Sequence, residues 1–320
     1  MLPKSALCKL NCMNLYIWLA IMLGAIVGSY SSAVDCAEFE IVKVAPGVFV
    51  HEGRIEPMSR GNFGDIANIG FIVGDDCVAV IDTGGSPEVG AELRDVIKAH
   101  TGKSVCYVIN THAHPDHVLG NIAFVAQHPS FIAHKNYAEA LGARMQTYLE
   151  RFSRMYDRKL SPDIIIPPDR TIADTAIVDL GHRVLKLIAL PPGHTNSDLI
   201  VFDVQTATLW TGDLLFVHHI PVLDGSITGW LADIKQLQNI NSKRAVPGHG
   251  PASVPWPQAL KAEGAYLNAV AEGIRAVINR GGTIEEAINT VEYGARRHWR
   301  LFDEYHRRNI TAAFAELEWE

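Results

Sequence analysis

Charge is scarce in this 320-residue chain: 20% of its residues are Asp, Glu, Lys or Arg, against 48% hydrophobic. That composition excludes a disordered or fibrous chain and suits one globular domain of the larger kind. A basic tract is lacking, and the net charge is −7. The electrostatic footprint of a nucleic-acid binder is therefore missing, and no nucleic-acid partner is expected. Cysteine is sparse, with five in all. Cys8 and Cys12 fall in a segment that reads as a removable leader, which leaves Cys36, Cys77 and Cys106. An odd number implies no disulfide framework. Cys77 and Cys106 lie in predicted strands and could pair only if those strands are neighbours, so buried thiols are the expected state.

An apolar run at the N-terminus, Leu15 to Val27, follows Lys4 and Lys9 and precedes Ser29, Ser31, Ser32 and Ala33. This is the pattern of a secretory signal peptide over residues 1–33, leaving 34–320 as a single domain with C-terminal helices. The alternative is an uncleaved anchor, although a spanning helix needs about 20 residues. Asp35 is a poor neighbour for lipid processing at Cys36, and losing two lysines makes the mature chain more acidic still.

What is present in abundance is metal-competent chemistry in one hexapeptide, His112-Ala113-His114-Pro115-Asp116-His117. In an extended segment residues two apart project to the same side, so His112 and His114 can grip one ion while Asp116 and His117 turn toward a second. Pro115 biases His114 away from helical geometry and keeps the loop open. A catalytic zinc takes three protein ligands and leaves a position for water, so further donors are required. Candidates follow in Gly193-His194-Thr195, Thr211-Gly212-Asp213 and Gly248-His249-Gly250, each beside a glycine just after a predicted strand.

With His112, His114, Asp116, His117, His194, Asp213 and His249 in this order, and Ile81-Asp82-Thr83-Gly84 upstream, the chain resembles the metallo-β-lactamase superfamily from about Val42 to Pro251. The resemblance implies an α/β fold, the four-layer αββα sandwich. It also implies one metal site of His112, His114 and His194, a second of Asp116, His117 and His249, and Asp213 bridging them. A narrower likeness lies in Asn110 to His117, in His219 to Ser226 and in Gly229-Trp230. These stretches resemble the quinoprotein relay system zinc metallohydrolases, a periplasmic group associated with pyrroloquinoline-quinone-dependent alcohol oxidation or sulfur oxidation. That likeness implies a periplasmic setting and a quinoprotein dehydrogenase partner.

The elements fall into two halves. Phe39 to His51 reads as two short strands, Asn68 to Ile81 as a hairpin, and Ser86-Pro87 as the start of a helix with Val89, Leu93, Val96 and Ile97 on one face. Ser104 to Asn110 is the strand that delivers the metal loop, with Asp82 placed to orient the loop or a ligand imidazole. Asn136 to Arg158 is helical, with a packing stripe of Tyr137, Leu141, Met145, Tyr148 and Phe152. Lys159 to Arg170 is a connector at the seam. Strands follow at Arg183 to Leu190, Asp198 to Val204, Thr208 to Trp210 and Arg244 to Pro247. Trp230 opens a helix from Leu231 to Ile240, and helices continue from Pro257 to the end.

The chemistry implied is hydrolysis with two zinc ions per chain sharing a hydroxide that attacks the carbonyl of an ester, thioester or lactam. Asp116 orients the nucleophile and His218 or His219 carries a proton, with His218 assigned as catalytic. Phe63, Asn196 and Trp230 are assigned as contacts to a small-molecule substrate, with Met58 and Arg60 beside Phe63 on a loop overhanging the cleft. Familiar β-lactamases place Cys or Ser where Asp213 stands, so the likeness leans toward thioesterases, with lactam cleavage an alternative. Two others are an iron-dependent oxidoreductase of persulfide dioxygenase type, which makes iron the main alternative metal, and a non-catalytic accessory binding quinone or dehydrogenase. Specificity is expected in loops 56–66 and 216–230.

Overall fold

The computed structural model describes residues 39–320. The predicted leader, its cleavage point and Cys36 lie outside them. Ile41–Glu320 form one compact unit, and among the described residues no helix is long and apolar enough to cross a membrane.

Among the described residues thirteen strands build two sheets. The first runs in spatial order β1 (Val42–Ala45), β2 (Val48–His51), β3 (Ile69–Val73), β4 (Val78–Ile81), β5 (Val105–Ile109), β6 (Ser130–His134) and β7 (Arg170–Ile172). Its first four strands pair antiparallel and its last four parallel. The second sheet is ordered β13 (Val254–Pro255), β12 (Arg244–His249), β11 (Thr208–Phe216), β10 (Leu199–Asp203), β9 (Val184–Ala189) and β8 (Thr175–Asp179). Within it β11 and β12 run parallel.

Parallel pairs need a crossover, and helices supply it: α1 (Pro87–His100) joins β4 to β5, α3 (Tyr137–Met155) joins β6 to β7, and α4 (Ile227–Leu237) joins β11 to β12. The one-turn helix α2 (Pro115–Val118) carries the end of the metal loop, while α5 (Leu260–Asn279), α6 (Ile284–Thr290) and α7 (Phe302–Leu317) close the chain. The Ser86 hydroxyl caps α1 by accepting from the Val89 N–H at 3.3 Å, and Pro87 occupies the first turn where no N–H is needed.

Packing at three interfaces holds these elements together. Between the sheets, Val48, Val50, Ile72, Ala79, Ile81, Ile109 and Ile132 meet Leu185, Leu187, Leu199, Val201, Trp210 and Val246. On the outer face of the second sheet, Ile200, Leu209 and Leu215 meet Trp230, Ile234 and Leu237 of α4, with Leu267, Val270 and Ile274 of α5 and Ile310 and Phe314 of α7. On the outer face of the first sheet, Phe49 and Phe71 stack at 4.8 Å against His100 at the end of α1. The result is the four-layer αββα sandwich.

Four local expectations change. The strand ending at Trp210 continues to Phe216 through a register shift at Gly212, so Asp213 lies within it. The helix near Trp230 begins at Ile227, capped by Ser226, because that hydroxyl accepts from the Gly229 N–H at 2.9 Å. The seam between halves lies between β7 and β8, one strand later than the proline-rich connector suggests. Cys77 and Cys106 form a disulfide with Cα atoms 5.9 Å apart, since parallel β4 and β5 are neighbours and Val78 pairs with Val105.

Candidate metal centre

Strands β4, β5, β9, β11 and β12 all end at the same edge of the sandwich, so Asp82, the metal loop, His194, Asp213 and His249 converge although they are scattered over the sequence. His114 is extended (φ −76°, ψ 146°), and Pro115 then starts α2, which turns Asp116 and His117 away from His112 and His114. Two clusters result, one of His112, His114, His194 and Asp213 and one of Asp116, His117 and His249, with the donor atoms in each within 4.8 Å of one another. Asp213 reaches into both. Its Oδ2 lies 3.7 Å from His112 Nε2, 3.4 Å from His194 Nε2 and 3.4 Å from His249 Nε2, and its Oδ1 lies 3.1 Å from His117 Nε2. Asp116 Oδ2 closes the second cluster at 3.3 Å from His249 Nε2.

Two glycines make room for Asp213. Gly212 has φ +51°, a left-handed conformation that L side chains rarely adopt, and a Cβ there would come within 2.6 Å of the Thr111 side chain. A Cβ on Gly248 would run into Asp213 Oδ1.

The back of every imidazole is engaged, which assigns its tautomer. His194 Nδ1 donates to the Val222 carbonyl at 2.6 Å and His249 Nδ1 to the Ile66 carbonyl at 2.8 Å. His117 Nδ1 donates to Asp82 Oδ2 at 2.8 Å. Asp82 also accepts from the Thr111 N–H (2.8 Å) and hydroxyl (2.7 Å), so the Thr111 oxygen is left to accept from His112 Nδ1 at 3.0 Å. His114 is reversed: its Nε2 donates to Asp224 Oδ2 at 2.9 Å, and its Nδ1 faces the cluster. Such outer partners orient ligand rings and raise their basicity.

These assignments test the site for metal. His114 Nδ1 and His194 Nε2 face each other at 3.0 Å, yet each ring already donates from its other nitrogen, so two lone pairs oppose each other. His112 Nε2, His117 Nε2 and Asp213 Oδ1 are buried without a hydrogen-bond partner. Orphaned buried donors and acceptors are costly, and a cation satisfies all of them. Imidazole and carboxylate are ligands of a divalent ion of zinc type, and the donor set fits one.

The electrostatics of the clusters differ. Burial, helped by the neighbouring His117, holds His112 well below its ordinary value despite Asp213, and burial holds His194 down to about 4. In the second cluster burial also opposes charge, but Asp213, Asp82 and Asp116 outweigh it and lift His117 well above its ordinary range. Asp213 and Asp116 likewise raise His249 to about 9.

The structure sorts the remaining expected residues. Asn196 is exposed and lines a cavity of about 360 Å³ beside His114, with Arg144, Tyr148, Thr195, Asp224 and Ser226. Phe63 is half-buried, stacks on Tyr156 at 5.8 Å and packs in an apolar cluster with Met58, Met145 and Tyr148. Arg60 pairs with Asp157 at 3.2 Å. Trp230 is a correction: it is fully buried, its ring 5.4 Å from that of His194, so it backs a ligand and is closed to substrate. His218 sits exposed on a left-handed turn (φ +66°), while buried His219 packs 5.0 Å from His249. The alternation of an extended strand breaks at that turn, and the adjacent ring is the one carried inward.

Sequence reading missed the roles of Thr111, Arg144 and Asp224. Asp224 acts on His114 across 110 positions, and Arg144 pairs with that same carboxylate from α3. Asn309, which heads a nominal glycosylation motif, is buried: its amide donates to the Pro221 carbonyl at 2.6 Å and its Oδ1 accepts from the Leu223 N–H at 2.9 Å, which pins the loop that holds His194.

A two-sheet sandwich with paired His/Asp clusters on one edge defines a metallohydrolase. Residues 63–249 match the metallo-beta-lactamase superfamily, more than half of the chain, and the chain belongs to that superfamily. It is 25% identical over 175 residues to the beta-lactamase-like protein 2 homolog of Caenorhabditis elegans, a match covering 54% of this chain and 52% of that protein. The chain thus spans about half the length of that curated relative. Among solved structures it resembles a metallo-beta-lactamase from Pontibacter korlensis (TM-score 0.58, 21% identity, 72% of this chain and 98% of the other). It also resembles the sec-alkylsulfatase Pisa1 from Pseudomonas sp. (TM-score 0.66, 15% identity, 86% and 50%).

Proposed function

We propose that this chain is an exported, binuclear zinc hydrolase acting on the carbonyl of a small ester, thioester or lactam, associated with a periplasmic quinoprotein dehydrogenase. The observation that carries the hydrolytic part is Asp213, one carboxylate within 3.7 Å of imidazole nitrogens from both clusters. His112, His114 and His194 would hold one ion and Asp116, His117 and His249 the other, with Asp213 between. When bound, such ions supply Lewis-acid polarisation and bring a water pKa down toward about 7.

The chain's own residues do the rest. His114 and Asp116 are the partly exposed donors while His112, His117, His194 and His249 are buried, so substrate approaches from the side of the 360 Å³ cavity. His117 and His249 hold the carboxyl of Asp116 below its ordinary range despite burial, so it stays ionised and accepts a hydrogen bond from an attacking water. Asn196 and Ser226 offer polar groups to the substrate at the cavity wall. The leader pattern and the relay-type stretches support the periplasmic setting, and the Cys77–Cys106 disulfide suits an oxidising compartment.

The test is metal content of the full chain purified without added metal, paired with turnover of thioester, lactone and β-lactam substrates. Near two zinc per chain, with hydrolysis lost in His112→Ala, is expected. One iron with oxygen consumption would overturn the reading in favour of a dioxygenase. Bound metal without turnover would favour the accessory role.

A further inference from the structure

The loop between β11 and α4, Val217 to Ser226, lies outside the helices and the two sheets, so its amides need partners elsewhere. They find them on two sides. Toward the metal centre, the Asp224 N–H donates to the His194 carbonyl at 3.0 Å and the Ser226 N–H to the Gly193 carbonyl at 2.9 Å. On the other side, the Ile220 N–H donates to the Arg300 carbonyl at 3.1 Å and the Leu223 N–H to Asn309 Oδ1 at 2.9 Å. Ile227 and Thr228, which open α4, donate from their N–H groups to the Glu316 carboxylate at 2.7 and 3.2 Å, and the Ser226 hydroxyl joins them at 2.8 Å. The loop is thus held between the His194 turn and the segment from Arg300 to Glu316.

The two run in register. Tyr305, Asn309 and Glu316 recur at helical spacing on one face of α7. Along that face Tyr305 meets the His219 ring at 5.3 Å, Asn309 bonds Pro221 and Leu223, and Glu316 bonds Ser226, Ile227 and Thr228. Asn309 therefore brackets Val222, whose carbonyl accepts from His194 Nδ1 at 2.6 Å. Asp224, which accepts from His114 Nε2 at 2.9 Å, stands between the Asn309 and Glu316 attachments. The groups that orient the second cluster, Ile66 and Asp82, lie on other parts of the chain.

We propose that the segment from Arg300 to Glu316 is a positioning strap for the first metal cluster. Through Asn309 and Glu316 it holds Val222 and Asp224 where they orient His194 and His114, and neither residue is itself a ligand. The strap rests on the two-ion reading of the centre, and the experiment separates the two.

Zinc affinity is measured on the full chain by competition with a chromogenic chelator, in two backgrounds: His114→Ala, which cripples the first cluster, and Asp116→Ala, which cripples the second. Asn309→Ala and Glu316→Ala should each weaken the ion left in the Asp116→Ala chain by about three- to tenfold, less than removal of a direct outer partner costs. The ion left in the His114→Ala chain should be unchanged. Glu316→Gln keeps an oxygen acceptor and should restore part of the loss. Ile274→Val thins the apolar layer under α5 and α7 but leaves all these hydrogen bonds in place, so it reports what lost stability alone does. Glu316 is half-buried, and its variant carries the test where Asn309→Ala fails to fold. No weakening, equal weakening in both backgrounds, or the same loss in Ile274→Val overturns the strap. If the native chain binds no zinc, the two-ion reading fails, and amide hydrogen exchange of the metal-free chain decides. Exchange that quickens in Glu316→Ala across residues 190–195 as well as 220–228 supports the strap; quickening confined to α7 overturns it.

Discussion

The two clusters of the metal centre share Asp213, and through Thr111 the support of Asp82, but their other histidines are held by different parts of the molecule. In the first, His194 and His114 are fixed from behind by Val222 and Asp224, both on the loop between β11 and α4. In the second, His249 is fixed by Ile66, at the end of the loop between β2 and β3, and His117 by Asp82, at the end of β4. Each long loop expected to carry specificity therefore also orients ligands, and the β2–β3 loop of the first half holds a histidine of the second. Their charge differs as well. The first cluster keeps His112 and His194 neutral with lone pairs ready, while the second surrounds His117 and His249 with carboxylates. A change in either loop should alter metal affinity along with substrate choice.

The most severe way to break this comparison is to remove what the clusters share. Asp213→Ala strips the carboxylate from four imidazoles, and turnover should fall by about 10³-fold or more, as expected when several kcal/mol of charge stabilisation are lost. Elemental analysis should show metal lost from both clusters together. Loss from one alone would mean that Asp213 serves a single cluster.

Next come the supports that separate the clusters. Among the imidazoles Asp224→Ala frees only His114, and it also releases Arg144, whereas Asp82→Ala frees His117 directly and His112 through Thr111. Outer partners of this kind are worth about 10- to 100-fold in metal affinity. Competition with a chromogenic chelator should show one weakened ion in Asp224→Ala and two in Asp82→Ala. Equal losses in the two variants would erase the distinction drawn between the loops.

Much of this centre was legible in the sequence because its ligands sit in short motifs at strand ends. The spacing in His112-Ala113-His114-Pro115-Asp116-His117 is local geometry, and Pro115 marks where the chain turns from one cluster to the other. The hairpin, the capped helix α1 and the stripe of α3 were legible for the same reason, since period and caps are local. What could not be read is what depends on packing across the sandwich. Trp230 looked like a cleft aromatic and proved to be a wall behind His194, because burial of a helix face is decided by the sheet beneath it. His218 and His219 are adjacent, and only the left-handed turn at His218 decides which ring enters. Asp224 stands in the relay-like stretch from His219 to Ser226, but its role on His114 is not visible until that loop is folded over the ring. The disulfide likewise depended on β4 and β5 being neighbours.

The smallest expected effect concerns the floor beneath the first cluster. Asp233 on α4 is fully buried, neither of its oxygens has a hydrogen-bond partner, and it lies against Gly193, the residue before His194. Burial raises its carboxyl to about 7. Burial raises its neighbour Asp198 to about 8, opposed by bonds from Thr195 and aided by Asp233. A carboxyl raised on folding contributes stability that is fully present below its unfolded value of about 4 and is lost as pH climbs through the folded one. Asp233→Asn keeps the shape and removes the ionisation, and it lets Asp198 titrate lower. The native chain should thus lose about 5 to 10 °C more in melting temperature between pH 5 and pH 8 than the Asn variant, because pH 5 lies about two units below the folded value of about 7 and each unit is worth about 1.4 kcal/mol. Thermal melts at both pH values check this. Parallel losses would mean that Asp233 stays protonated throughout and that the floor of the first cluster is indifferent to pH, leaving the carboxylates of the second cluster as the source of any pH response.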